Sequence, residues 1–118
     1  MKIQEVAAAL QAEVLSCHDK LICEVHAACG SDMMSDVLAF VKDQAVLLTG
    51  LINSQVIRTA EMMDIHCIVF VRNKVPTDDM IALAADREIV LMTTKKHMFE
   101  SCGILYQSGL NQRNETAT

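Results

Sequence analysis

Residues 65–71 constrain the fold more than any other segment, because this stretch is apolar almost throughout. It spans Ile65–Val71, and only His66 interrupts its apolar character. A strand keeps such a continuous apolar run when helices cover both faces of a parallel sheet, whereas a half-exposed strand alternates apolar and polar residues. The segment therefore predicts a strand of a parallel sheet that is covered on both faces.

Strands and amphipathic helices alternate along the rest of the chain. The predicted strands are Glu13–Leu15, Ile22–Cys29, Ala45–Thr49, Ile65–Val71 and Ile89–Thr93. The predicted helices begin near Ile3, Asp32, Asn53, Pro76 and Lys96, and the last one ends at Gly109. Short connections between strands and helices imply right-handed crossovers and a parallel sheet. The predicted fold is a small three-layer α/β/α sandwich with a mostly parallel sheet.

The strand predicted over Ile22–Cys29 differs from the others because apolar and polar residues alternate along it. Its buried face is predicted to carry Cys23, Val25, Ala27 and Cys29. Alternation with a period of two is typical of a half-buried strand. This strand therefore fits an edge position, or an antiparallel one.

Aliphatic residues and methionine must fill the core, because the chain has eight Met but only three Phe, one Tyr and no Trp. Methionine is an adaptable filler, so a Met-rich core is the first interpretation and an adaptable binding surface the second. The last helix is predicted to bury Met98, Phe99, Cys102 and Leu105.

Length and composition are those of one packed domain. The chain has 118 residues, of which 52% are hydrophobic, with one Pro and four Gly. This length can bury a sizeable core. Residues 111–118 follow Gly109 and contain one small apolar residue, which is typical of a frayed terminus. We expect a single domain over residues 1–110 and a flexible C-terminal tail over residues 111–118.

Charge and cysteine usage argue against several classes of protein. The formal charge of −5 and scattered basic residues disfavour nucleic-acid binding, which needs clustered Lys and Arg. No apolar run approaches the roughly 20 residues of a membrane span, and the first residues lack the features of a signal peptide. Five cysteines without a Cys-x-x-Cys pair indicate reduced thiols. We expect a cytoplasmic protein.

Polar turns follow four of the predicted strands, and parallel strands present their carboxyl ends at one edge of the sheet. Ligands of open α/β sheets bind at that edge, where helix N-termini offer free N–H groups. Small, hydroxyl-bearing and basic side chains suit an anionic or nucleotide-like ligand. The candidate ligand-binding residues are Ser31, Asp32, Thr49, Gly50, Asn53, Arg72, Thr93 and Thr94.

The same residue types also serve as ordinary helix caps, and this second interpretation stays open for the four turns. Gly50 belongs to neither the G-x-G-x-x-G nor the G-x-x-x-x-G-K-[S/T] pattern, so no phosphate-binding fingerprint supports the first interpretation.

No catalytic or metal-binding constellation is apparent in the sequence. Cys17, Cys23 and Cys29 recur every six residues, but metal sites usually draw on pairs two to four residues apart. The run Cys17-His18-Asp19 places neighbouring side chains in different directions, whereas catalytic triads assemble from distant elements. We therefore expect core thiols, no metal, no cofactor and no enzymatic activity.

Several segments together resemble the DRTGG domain family. Residues 25–39 read VHAACGSDMMSDVLA and resemble a family stretch that ends in SDLLSDVLA. The match continues through Leu47–Gly50, Cys67–Val71, Pro76, Thr93–Phe99 and Cys102–Tyr106. The Asp-Arg pair of the family's name is absent beside Thr49-Gly50, where Leu51 and Ile52 follow instead.

The resemblance implies an α/β domain similar to the N-terminal domain of HPr kinase. Such domains are regulatory inserts beside nucleotide-sensing CBS domains in some inorganic pyrophosphatases, and they occur in some phosphotransacetylases. Free-standing versions are similar to proteins encoded near iron-only hydrogenase components in anaerobic bacteria. The family supplies no catalytic residues that could be carried over to this chain.

Two functional hypotheses follow. The first is a non-catalytic regulatory module, forming a homodimer, that binds a small anionic metabolite, a nucleotide or a partner protein and is linked to redox or energy metabolism. The second, which rests on the five thiols and the resemblance, is a hydrogenase-associated protein that carries or hands over an iron–sulfur cluster. A hydrogenase or another redox protein is then the implied partner.

Overall fold

The apolar segment at residues 65–71 contains β4 (Cys67–Phe70), the middle strand of a five-stranded sheet. The computed structural model describes residues 1–40 and 44–110. The other strands are β1 (Glu13–Val14), β2 (Ala27–Gly30), β3 (Ala45–Thr49) and β5 (Val90–Thr93). Their order is β1-β5-β4-β3-β2, with β1 antiparallel to β5 and all other pairs parallel.

Helices cover both faces of the sheet. On one face α1 (Ile3–Leu10) and α5 (Met98–Leu105) enclose the first hydrophobic cluster. On the other face α2 (Met34–Phe40), α3 (Ser54–Met62) and α4 (Asp78–Asp86) enclose the second. Two further short helical segments are His18–Lys20 and Tyr106–Leu110. The predicted three-layer α/β/α sandwich with a mostly parallel sheet is confirmed.

The register of the central strands lines up apolar side chains in rows across the sheet. Leu47 pairs with Ile68, which pairs with Leu91, and all three are fully buried in the second cluster. The neighbouring row, made of Val46, Cys67 and Val90, faces the first cluster. This two-sided burial explains why these strands are continuously apolar.

The strand predicted at Ile22–Cys29 has the edge position expected for it, but the prediction is wrong in the extent of the strand and in its face. β2 is a parallel edge strand that begins at Ala27, while the preceding segment pairs with the chain start: the Ile3 N–H donates to Cys23 O at 2.9 Å. Val25 packs in the first cluster and Cys29 in the second, so the two do not share a face. Burial still alternates from Val25 to Gly30, but the chain changes its pairing partner between Val25 and Cys29.

The expectations for Met and for Phe99 are also corrected. Met80 and Met92 are buried, but Met33 and Met62 are 61% and 65% exposed, so methionine fills the core only in part. Phe99 is 91% exposed. The inner face of α5 runs through residues 98, 101, 102 and 105, which recur at helical spacing and leave position 99 outside.

The predicted tail, residues 111–118, lies outside the described residues. Before it, Gly109 has a φ of 115°, a left-handed conformation that is typical of a helix stop. Within residues 1–40 and 44–110, no helix combines the length and apolar character that a bilayer crossing requires.

Two threonines on the second face give a test of how hydroxyl groups contribute to stability. Thr59 is fully buried and its Oγ1 has no hydrogen-bond partner among the described residues, whereas Thr77 Oγ1 caps α4 by accepting from the Met80 N–H at 3.2 Å. Thr59→Val should raise the free energy of unfolding by about 1 kcal/mol, because an unpaired buried hydroxyl is removed. Thr77→Val should lower it by about 1 kcal/mol through loss of the cap. Urea denaturation of both variants checks the two signs, and a loss of stability in Thr59→Val would contradict the first.

Candidate functional site

The loops that follow β2, β3, β4 and β5 meet at one edge of the sheet, because these four strands are parallel. The eight residues predicted to bind a ligand all lie in or beside these loops. The structure divides them into three groups: four residues of a cluster that includes Arg72, two threonines in a cavity beside β5, and two side chains, Ser31 and Asn53, that are bonded to the neighbouring backbone.

The first group, here called the Arg72 cluster, consists of Asp32, Thr49, Gly50 and Arg72. Asp32 Oδ1 accepts from the Gly50 N–H at 2.7 Å and from Thr49 Oγ1 at 3.1 Å. Asp32 Oδ2 lies 3.8 Å from Arg72 Nη2. The carboxylate thus fills a position between β2 and β3 where a bound anion could otherwise accept the same hydrogen bonds.

Gly50 matters here for its lack of a side chain. A Cβ atom at this position would meet the Arg72 guanidinium, lying 2.8 Å from Cζ and closer still to Nη2. The guanidinium therefore lies directly over the backbone of Gly50. Any larger residue at position 50 would displace it.

A cavity of about 440 Å³, here called the strand-end cavity, lies beside the carboxyl end of β5. Its lining residues are Leu10, Gln11, Glu13, Asn73, Thr93, Thr94, Lys95, Lys96 and Glu100. The two threonine hydroxyls already have partners, because Thr93 Oγ1 donates to Lys74 O at 2.6 Å and Thr94 Oγ1 donates to Leu10 O at 2.7 Å. Their contribution is to hold the cavity walls together.

The loop after β4 is tied to the loop after β5 through its backbone. Arg72 and Asn73 both have left-handed φ angles, 62° and 58°, and the Lys74 N–H closes the turn by donating to Val71 O at 3.2 Å. The Arg72 N–H donates to Lys96 O and the Asn73 N–H donates to Thr94 O, each at 2.8 Å. This cross-link places the Arg72 cluster next to the strand-end cavity.

Positive charge is concentrated in these two loops, although the whole chain has a formal charge of −5. They carry Arg72, Lys74, Lys95 and Lys96. Lys96 Nζ lies 3.6 Å from Glu100, and Glu13 adds a second carboxylate to the lining. The cavity therefore offers cations together with carboxylates that accept hydrogen bonds.

Asn53 has the helix-capping role that the sequence left open as the second interpretation, whereas Ser31 accepts from a backbone N–H that lies before α2 begins. Ser31 Oγ accepts from the Met33 N–H at 3.0 Å at the approach to α2. Asn53 Oδ1 accepts from the Gln55 N–H at 2.8 Å and caps α3. Both side chains are thus engaged by the backbone next to them.

The sequence did not single out several residues that line the strand-end cavity. Asn73 and Lys95 lie in the polar turns that follow β4 and β5. Their position directly after Arg72 and Thr94 is the sequence signal that could have identified them. The wall formed by Gln11 and Glu13 had no such signal, because it comes from α1 and β1, about 80 residues earlier in the chain.

The cysteine side chains are spread over both faces of the sheet. Cys67 is fully buried, and burial raises the pKa of its thiol to about 12. Cys29 packs against the second cluster and Cys102 against the first, and partial burial raises the pKa of both thiols. In the part of the chain that is described, no three His, Cys, Asp or Glu side chains are grouped so that they could hold a metal ion.

A solved structure shares the fold of this chain. The crystal structure of the CBS and DRTGG domains of the regulatory region of Clostridium perfringens pyrophosphatase, complexed with the activator diadenosine tetraphosphate, is similar to this chain with a TM-score of 0.74 and 13% identity. The alignment covers 99% of this chain and 53% of that one, so the chain spans about half the length of the pyrophosphatase region. At this identity the likeness establishes the fold alone.

A search of curated proteins found no match. The family model of the DRTGG domain matches residues 5–108. This match covers most of the chain and confirms the resemblance seen in the segments around Ser31–Asp36 and Thr49-Gly50. The chain belongs to the DRTGG domain family.

Proposed function

We propose that this chain is a non-catalytic regulatory module, one domain over residues 1–110, that binds a small anionic, nucleotide-like ligand in the strand-end cavity. The observation that carries the proposal is the cavity itself, about 440 Å³ at the carboxyl end of β5. Ligand pockets typically enclose about 300–1,000 Å³, and open α/β sheets bind ligands at this edge.

The lining offers complementary groups for such a ligand. The ammonium groups of Lys95 and Lys96 are the cations that a phosphate or carboxylate would contact. The Glu13 carboxylate can accept a hydrogen bond from a ligand hydroxyl or amino group, and Leu10 adds an apolar contact. A nucleotide combines all three chemical features, whereas an inorganic ion uses only the cations.

The comparison with the pyrophosphatase supports the regulatory part of the proposal. That protein's regulatory region, which contains CBS and DRTGG domains, was crystallised with a dinucleotide activator. The present chain corresponds in length to about half of that region. A separate module of this family would supply regulation to a partner rather than perform the chemistry itself.

The cellular context is part of the same proposal: a cytoplasmic homodimer that is linked, as the resemblance implies, to redox or energy metabolism, with a hydrogenase or another redox protein as partner. Exposed apolar side chains are the groups that a second copy of the chain would cover. They include Ile22, Met33, Met62, Val75 and Phe99. The alternative role as an iron–sulfur carrier rests on the five thiols, of which Cys67 is fully buried.

Titration of the protein with AMP, ADP and ATP by isothermal calorimetry tests the ligand class. We expect binding of at least one of them, and Lys95→Gln and Lys96→Gln should each weaken it about three- to tenfold, because each removes a charge-assisted contact. Arg58→Gln is the matched control, since it removes one exposed positive charge from α3.

Equal weakening by Arg58→Gln and by the lysine variants would show that overall charge, not the cavity, governs binding. Absence of binding by the unmodified protein to all three nucleotides would rule out the nucleotide-like ligand.

A further inference from the structure

We propose that Arg72 is a movable ligand-binding residue of the strand-end cavity. Asp32 and Gly50 hold its guanidinium aside until an anionic group at the cavity rim replaces Asp32 as its partner. The inference rests on the proposed function and adds the specificity-determining residue and the exchange that accompanies binding. The class of ligand is one whose phosphate or carboxylate reaches beyond Lys95 and Lys96 to the cavity rim.

The backbone of Arg72 is bonded to the wall of the cavity. Its N–H donates to Lys96 O at 2.8 Å, and the next residue, Asn73, lines the cavity. The side chain therefore starts beside the cavity rim, and the proposed exchange is a rotation about its own bonds that turns the guanidinium toward the cavity.

The guanidinium is held in its present position by weak interactions. It lies 3.8 Å from Asp32 Oδ2, and the Arg72 and Asp32 side chains are 40% and 46% exposed. An exposed ion pair at this distance contributes little, because water screens it. Gly50 leaves the space over its backbone in which the guanidinium lies.

Asp32 does not depend on Arg72 for its own position. Its Oδ1 is fixed by the Gly50 N–H at 2.7 Å and by Thr49 Oγ1 at 3.1 Å. The exchange therefore breaks one long ion pair and leaves both of these hydrogen bonds in place. A phosphate group offers the guanidinium two parallel hydrogen bonds, a better partner than the distant carboxylate oxygen.

The backbone conformation of Arg72 gives a second reason to expect a functional role. A φ of 62° is unfavourable for a residue with a long side chain, and Gly or Asn would normally occupy such a position. Residues held in such conformations cluster at ligand-binding sites, where the surrounding structure fixes them.

Three variants test the exchange by calorimetric titration with ADP and with inorganic pyrophosphate. Asp32→Asn keeps the acceptor oxygen for Gly50 and Thr49 but removes the charge that competes for Arg72, so affinity for both probes should rise about two- to fivefold. Gly50→Ala fills the space under the guanidinium and should act in the same direction. Arg72→Gln should weaken binding about three- to tenfold.

Asp36→Asn is the control for Asp32→Asn, because it removes an exposed carboxylate from α2 without touching Arg72. Weaker binding in Lys95→Gln together with unchanged affinity in Asp32→Asn and Arg72→Gln would leave the cavity as the site and overturn the role of Arg72. A rise in affinity of the same size in Asp36→Asn and Asp32→Asn would also overturn it. Unmodified protein that binds neither probe overturns the role of Arg72, whereas the proposed nucleotide-like ligand is ruled out only if AMP and ATP also fail to bind. If Gly50→Ala fails to fold, the other two variants decide.

Discussion

Replacement of Ser16 by alanine is expected to lower the free energy of unfolding by about 2–4 kcal/mol. Ser16 is 5% exposed, and its Oγ donates to Ile89 O at 2.8 Å while accepting from the Leu91 N–H at 2.9 Å. Alanine would leave the Ile89 carbonyl, just before β5, and the Leu91 N–H within β5 without these partners. Each unsatisfied group of this kind costs about 1–3 kcal/mol.

Ser101→Ala is the matched control, because Ser101 is also buried but its Oγ has no hydrogen-bond partner in the part of the chain that the structure describes. Its stability should stay the same or rise, since an unpaired hydroxyl is removed. Urea denaturation monitored by far-ultraviolet circular dichroism gives both values. Similar losses in the two variants would mean that burial of the side chain, and not the paired hydrogen bonds of Ser16, determines the effect.

The same hydrogen bonds have a consequence for the cavity. Ser16 and the bond from the Leu15 N–H to Leu91 O at 2.7 Å attach the β1 segment to β5, and Glu13 of β1 lines the strand-end cavity. Ser16→Ala should therefore loosen one wall of the cavity as well as lower global stability.

The central part of the fold was predictable because local pattern and tertiary environment agree there. Ala45–Thr49 is predicted and found as a strand with the same bounds, since an apolar run between polar loops is compatible only with burial on both faces. For the edge strand, the edge position was predictable from the alternation, but the extent and the face of the strand were not. Alternation indicates half-burial, but it does not reveal that Val25 pairs with the chain start and Cys29 with β3.

The position of the candidate site followed from topology, whereas its internal division did not. Parallel strands bring their carboxyl ends together, so the four polar turns were expected at one edge. That Arg72 lies over Gly50 depends on the direction of one long side chain. That Leu10 closes the cavity beside Thr94 depends on a contact between residues 84 positions apart. Neither feature leaves a periodic pattern in the sequence.

Replacement of Gly30 by alanine is the second large effect we expect, a loss of about 1–3 kcal/mol in the free energy of unfolding. A Cβ atom at Gly30 would lie 2.6 Å from Cys102 Sγ and 3.1 Å from Met98 Sδ, both on α5. The backbone of Gly30 does not have a left-handed φ, so contact with α5, and not backbone strain, is the source of the loss.

The sulfur atom of Cys102 provides the test of that cause. Cys102→Ala alone should cost stability because a half-buried side chain is shortened, but in the Gly30→Ala background it removes the closest clash and should recover about 1 kcal/mol relative to additivity. Strict additivity in this double-mutant cycle would contradict the assignment. The effect should extend to ligand binding, because α5 begins at Met98, two residues after Lys96, and a displaced α5 shifts the cavity lysines. Gly30→Ala should therefore weaken nucleotide binding, and Cys102→Ala should restore it in the double variant. Packing between the edge strand and α5 would then be coupled to the proposed site.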